Sequence, residues 1–173
     1  MKINILKEEG REEALLGLSL SYNAPIEKMG KVAERLSPKD GGHNKFLESI
    51  VVWLDITAPR YWWQQFDTYR VGVTKQSEST MHTWKKFPFA PDMFTKGTSK
   101  ILINMLELMR QERDFDGIKR NLPEGFLQRR IVFTNYKTLR HIINQRAEHK
   151  LKEWQEFCKE VVNQAEYPVY LTA

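Results

Sequence analysis

Three stretches of this 173-residue chain hold most of the side chains that could do chemistry. The first, GGHNKFLES at 41–49, carries a Gly-Gly turn into His43 and places Glu48 at the mouth of a strand. Read by itself it is equally a helix start with a capping residue. The second is QFDTYR at 65–70, followed by QSEST at 76–80. Arg70, Ser77, Ser79 and Thr80 could cradle a phosphate through charge-assisted hydrogen bonds, or simply form a turn of solvated hydroxyls. The third is NYKTLRHIINQR at 135–146. On a helix, Asn135, Thr138, Leu139 and Ile142 share one side, and Lys137, Arg140, His141 and Asn144 another. That second side is either a ligand-facing surface or a solvated basic face.

Other chemistries find little support. Cys158 is the lone cysteine and lies in an apolar stripe between Phe157 and Val161, where a thiolate is poorly stabilised. It reads as a packed small hydrophobe. The four histidines, His43, His82, His141 and His149, form no ligand pair at helical spacing, so no metal site is expected. There is no P-loop, no Gly-x-Gly-x-x-Gly fingerprint and no nucleophile elbow.

Bulk composition narrows the partners. A net charge of +5 and a pI near 9.3 favour anionic ligands. The charge is dispersed, with only Lys119-Arg120 and Arg129-Arg130 clustered, which suits a small phosphorylated ligand better than a nucleic acid. The N-terminal MKINILKEEGREE lacks the apolar run of a signal peptide, and no segment is long enough to span a membrane. A single cytoplasmic domain over 1–173 is expected.

The elements that must position these side chains follow from periodicity. Alternation over 2–7 predicts a short edge strand, and residues 11–21 and 25–36 predict helices, Pro38 closing the second. SIVVWLDI (49–56) and RRIVFT (129–134) read as strands. Pro59 opens a helix over 60–68, whose YWWQQF carries large aromatics directly into Gln65. Residues 71–80 read as a polar loop with strand-like beginnings, and 85–94, with two prolines, as irregular. A helix is predicted over 96–114, with Thr98 or Ser99 as N-cap. One or two helices are also predicted over 135–146 and 148–164, the last stretch placing Leu151, Trp154, Phe157, Cys158, Val161 and Val162 on one face. The class is α+β, with a mixed or antiparallel sheet flanked by long helices.

Taken jointly, the three stretches resemble the flavin-dependent thymidylate synthases. That family has H-x-S-x-L-E-H, then Q-x-x-R-H-R, S-x-R, A-R-x-x-L-P, and N-x-R with an arginine eleven residues beyond the asparagine. Here His43, Leu47 and Glu48 match the first motif, and Gln65 and Arg70 the second. Lys119-Arg120-Asn121-Leu122-Pro123 matches the fourth, and Asn135, Lys137 and Arg146 the last with its interval kept. The agreement in order covers roughly residues 41–154.

The resemblance implies FAD as cofactor, methylenetetrahydrofolate and NADPH as co-substrates, and a dUMP-like pyrimidine nucleotide as substrate, in a homotetramer with sites at subunit interfaces. It implies nucleotide contacts by Gln65, Arg70, Ser77, Ser79, Lys119 and Arg146, with Arg146 also catalytic. It implies flavin contacts by His43, Glu48, Tyr69, Asn135, Lys137 and His141. The chain departs from the family where Thr68-Tyr69-Arg70 stands for Arg-His-Arg, and where ungapped counting puts Glu78 and Thr80 on the serine and arginine of S-x-R. A glutamate facing a phosphate would repel it. The alternative reading is therefore a homologue that kept the fold as a nucleotide-binding or protein-binding module. A basic nucleic-acid-binding domain is a third, resting on charge alone.

Overall fold

The computed structural model describes residues 1–172. A four-stranded antiparallel sheet has the order β1-β2-β4-β3, formed by β1 (Lys2–Glu9), β2 (Val51–Pro59), β3 (Thr74–Ser77) and β4 (Leu127–Asn135). β1 is an edge strand, as its short alternating pattern suggests. At one end of the β2–β4 pair Tyr136 N–H donates to the Ile50 carbonyl, and at the other Arg60 N–H donates to that of Phe126. The strands therefore run in opposite directions. Their register also brings the rings of Trp53 and Phe133 to 4.8 Å.

The chain divides into two compact units. The first comprises Met1–Ile56, Tyr69–Lys75 and the residues from Ile131 onward. The second comprises Thr57–Thr68 and Gln76–Arg130.

The first unit holds α1 (Arg11–Tyr22), α2 (Met29–Leu36), α7 (Tyr136–Arg146), α8 (Lys152–Gln164) and α9 (Val169–Thr172). α8 buries Trp154, Phe157, Cys158 and Val161 on the expected face, while Leu151 and Val162 lie half-buried at its margins. α2 is shorter than its sequence pattern, because Pro25 leads into a 3₁₀ turn over Ile26–Lys28 and the α-helix starts at Met29. Arg140 departs from the solvated basic face expected of it: it is buried and donates to the Tyr170 carbonyl at 3.4 Å. Tyr136, also buried, donates to the Glu8 carboxylate, and burial together with that carboxylate pushes its phenol pKa upward.

The second unit holds α3 (Arg60–Phe66), α4 (Thr80–Lys86), α5 (Lys100–Gln111) and α6 (Phe115–Asn121). Its core gathers Trp84, Phe89, Phe94, Leu106, Ile118 and Phe126. Two expectations are corrected in this region. Residues 71–80 are not a loop throughout, since Thr74–Ser77 joins the sheet and α4 begins at Thr80. The helix expected over 96–114 is shorter, α5 covering only Lys100–Gln111, and a separate helix follows it as α6. Arg113 takes a left-handed φ of 61°, so that Asp114 N–H returns to the Met109 carbonyl at 2.9 Å and closes α5. The Asp114 side chain then accepts from Gly117 N–H at 2.8 Å and starts α6.

Candidate functional site

In the first unit the second and third stretches meet along α7. Asn135 is the N-cap of this helix, its side-chain oxygen accepting from Thr138 N–H at 2.9 Å. The Thr138 hydroxyl donates to the Val71 carbonyl at 3.2 Å, which ties the strap after Tyr69 to the start of α7. The strap fits closely because residue 72 is glycine. Gly72 has φ +67°, and a Cβ there would come within 2.7 Å of Asn135 Nδ2 and 2.9 Å of Thr138 Oγ1. Gly72→Ala is expected to lower the midpoint of thermal unfolding, at a cost of about 1–2 kcal/mol from the left-handed backbone alone.

At the other end of α7 stands Arg146. Its Nε–H donates to the Tyr69 hydroxyl at 2.8 Å, and Tyr69 in turn donates to Gln145 Oε1 at 3.0 Å. The guanidinium carbon of Arg146 lies 5.0 Å from the Trp154 ring centroid. Tyr69, itself buried, meets His141 edge-on at 6.2 Å and Trp154 at 6.0 Å. Five of the residues singled out in the sequence are thus tied to one helix and its strap: Lys137, His141 and Arg146 on α7, Asn135 as its N-cap, and Tyr69 against it. Trp154 and Gln145 were not singled out as site residues. Trp154 was legible only as a core position of α8, and the sole signal for Gln145 is that it precedes Arg146.

Glu48 and Lys137 form a second pair, the Lys137 ammonium lying 2.8 Å from the Glu48 carboxylate. Glu48 also lines a groove of about 590 Å³ with His43, Tyr22, Phe46, Gly17 and Gly42. A Cβ at Gly17 or Gly42 would meet nothing within 4 Å, so both glycines leave open space. The capping reading of the first stretch is not realised. Asn44 does not cap the following 3₁₀ turn with its side chain, but donates back to the Ser37 carbonyl at 3.1 Å. His43 and Arg70 are exposed, and no hydrogen bond joins either side chain to another candidate residue among the described residues.

The second unit holds Gln65, Ser77, Ser79 and Lys119. Lys119 reaches the Thr80 hydroxyl at 3.4 Å and lies 6.0 Å from the Trp84 ring centroid. Ser77 and Ser79 are exposed, and Ser79 precedes α4 without a side-chain cap bond. Thr68 turns its hydroxyl back to the Gln65 carbonyl at 2.8 Å. Glu78 is tied to the backbone of Arg129. Its Oε1 accepts from Arg129 N–H at 3.1 Å, while its own N–H donates to the Arg129 carbonyl at 3.0 Å. The glutamate thus completes the pairing beside β4.

Cys158 stays outside this chemistry. Burial pushes its thiol pKa up to about 11, against weaker lowering by its backbone hydrogen bond and by Arg146. Among the described residues no group of three or more His, Cys, Asp or Glu side chains could hold a metal ion. Nor is any helix among them long and apolar enough to cross a membrane.

A family model described as thymidylate synthase complementing protein matches residues 7–169. The chain belongs to that family. Members with solved structures share its fold. The flavin dependent thymidylate synthase ThyX from Helicobacter pylori, complexed with FAD and dUMP, superposes with a TM-score of 0.81 at 17% identity, covering 99% of this chain and 98% of that one. A second structure of ThyX from Helicobacter pylori with FAD and dUMP gives 0.80 at 18% identity, covering 99% and 97%. No curated protein matches the chain in sequence. The α+β architecture with an antiparallel sheet is accordingly the thymidylate synthase complementing fold.

Proposed function

We propose that this chain is a flavin-dependent thymidylate synthase-like enzyme that methylates dUMP, or a related pyrimidine nucleotide, using methylenetetrahydrofolate and NADPH. The observation that carries the reading is the fixed Arg146 guanidinium: hydrogen-bonded through Nε to Tyr69 and set against Trp154, at the motif position that binds the pyrimidine in the family. A cation held there stabilises negative charge developing on the ring. Gln65, Arg70, Ser77, Ser79 and Lys119 are the further nucleotide contacts implied by the resemblance.

The first unit suits the flavin. Its groove has aromatic sides in Tyr22 and Phe46, open glycine positions at 17 and 42, and a Glu48 carboxylate neutralised by Lys137. A volume of about 590 Å³ falls within the usual range for small-molecule sites. His43, Glu48, Tyr69, Asn135, Lys137 and His141 would hold FAD, which supplies the redox chemistry of the reaction when bound. The side chains themselves orient the nucleotide, balance its charge and keep water from the reacting ring. The homotetramer and the cytoplasmic location implied by the resemblance belong to this same reading.

The second reading, a nucleotide-binding homologue without catalysis, is favoured by one observation. Thr68, where the family has a phosphate-binding arginine, uses its hydroxyl to close its own helix, and a threonine cannot replace a guanidinium fork. Purification separates the two. A yellow protein with a flavin absorption band, bleached by NADPH, reoxidised in air and yielding dTMP from dUMP and methylenetetrahydrofolate, supports the enzyme. Colourless protein that binds dUMP but takes up no added FAD supports the module. Failure to bind either molecule overturns both.

A further inference from the structure

The family motif has histidine where this chain has Tyr69, and the phenol does not simply take the histidine's place. We infer that Tyr69 is the positioning residue of Arg146, holding its guanidinium by Nε so that the two Nη groups are left as donors for the ligand. This rests on the proposed nucleotide site and deepens it.

The geometry accounts for each polar atom concerned. A guanidinium offers five N–H donors in a rigid fork. The Nε donor goes to Tyr69 at 2.8 Å, and one face of the group is directed at Trp154. Neither Nη group has a hydrogen-bond partner among the described residues, and neither is a buried unpaired atom. What remains open is the edge that binds planar acceptors in bidentate fashion. The phenol oxygen accepts from Arg146, and its hydroxyl donates to Gln145 Oε1. Its ring is held by burial, by Trp154 and by a strap fastened to the first turn of α7 through Val71 and Thr138. A freely rotating arginine would have to be ordered by its ligand. This one is ordered beforehand, which reduces the entropy lost on binding.

The test measures dUMP affinity by calorimetry on the full chain for wild type, Tyr69→Phe, Arg146→Lys and the double variant. Tyr69→Phe is expected to weaken binding about 10-fold, as loss of a hydrogen bond to a charged group would. In the Arg146→Lys background, which has no Nε donor, Tyr69→Phe is expected to change affinity less than about twofold. Equal affinity of wild type and Tyr69→Phe overturns the inference. So does the same loss in both backgrounds, because Tyr69 would then act on the fold and not through Arg146.

A second readout needs no nucleotide. In ¹⁵N NMR the Arg146 Nε–H signal is expected to be protected from solvent exchange in wild type and lost in Tyr69→Phe. Wild-type protein that binds no dUMP yet shows this protected signal would remove the proposed substrate while supporting the Tyr69 brace. An Nε–H that exchanges equally fast in both proteins overturns the brace whatever the substrate.

Discussion

The Arg146→Ala variant is expected to fold and to lose dUMP binding by at least about 100-fold. Two charge-assisted hydrogen bonds from the open Nη edge, at about 1.5 kcal/mol each, account for that factor, since each 1.4 kcal/mol is tenfold in affinity. The fold should tolerate the change because Arg146 is only half-buried and its neighbours keep other partners. Tyr69 still donates to Gln145, and Trp154 stays buried among Tyr69, His149 and Phe157. The variant loses one hydrogen bond and the cation–π contacts to Trp154 and Tyr69, together about 2–3 kcal/mol. Calorimetry against dUMP paired with thermal unfolding measures both quantities. Unchanged affinity would remove Arg146 from the site. An unfolded variant would instead assign it a role in holding α7 to α8.

Much of this architecture is legible from periodicity, and its failures have local causes. The apolar stripe of α8 is visible because six residues recur at helical spacing, and the helix buries that face. The early end of α5 is hidden because the left-handed residue that makes it is Arg113, not the glycine that usually marks such a turn. α4 is hidden for a different reason: TMHTWKK contributes only Trp84 and Thr80 to burial, too few residues to show a period. Arg140 resembles a solvated cation in sequence, and only the return of the chain through Tyr170 gives it a buried partner.

The candidate site divides in the same way. Ordered motif residues such as Asn135 and Arg146 are found through the family resemblance. Their partners come from distant segments: Tyr69 is 77 residues from Arg146, and Arg129 is 51 from Glu78. Glu78 shows the same, since a backbone N–H from another segment engages its carboxylate. Charge and spacing can nominate a residue, but what its polar atoms face is decided by tertiary contact.

The aromatic run YWWQQF leads to the second large effect, on stability. Trp63→Ala is expected to cost at least about 3–5 kcal/mol, the usual range for truncating a buried aromatic. Trp63 is fully buried and packs against Trp62 at 4.9 Å and Phe66 at 5.5 Å between ring centroids. Its indole N–H donates to the Gln128 carbonyl at 2.9 Å, and the Arg130 guanidinium lies 4.4 Å from its ring centroid. Arg130 is held in turn by Asp67 at 3.0 Å, so the ring supports an ion pair at the end of α3. Alanine would open a cavity, leave the Gln128 carbonyl short of a partner and remove the surface under Arg130. Against a typical total stability of about 5–15 kcal/mol, the loss is a large fraction of what keeps the chain folded. Trp63→Phe keeps most of the ring and loses the N–H, so its expected cost is about 1–2 kcal/mol. Urea unfolding followed by circular dichroism and amide exchange over Thr57–Thr68 and Gln76–Arg130 distinguishes the cases. If alanine and phenylalanine variants unfold at the same urea concentration, the hydrogen bond to Gln128 carries the stabilisation and the ring does not.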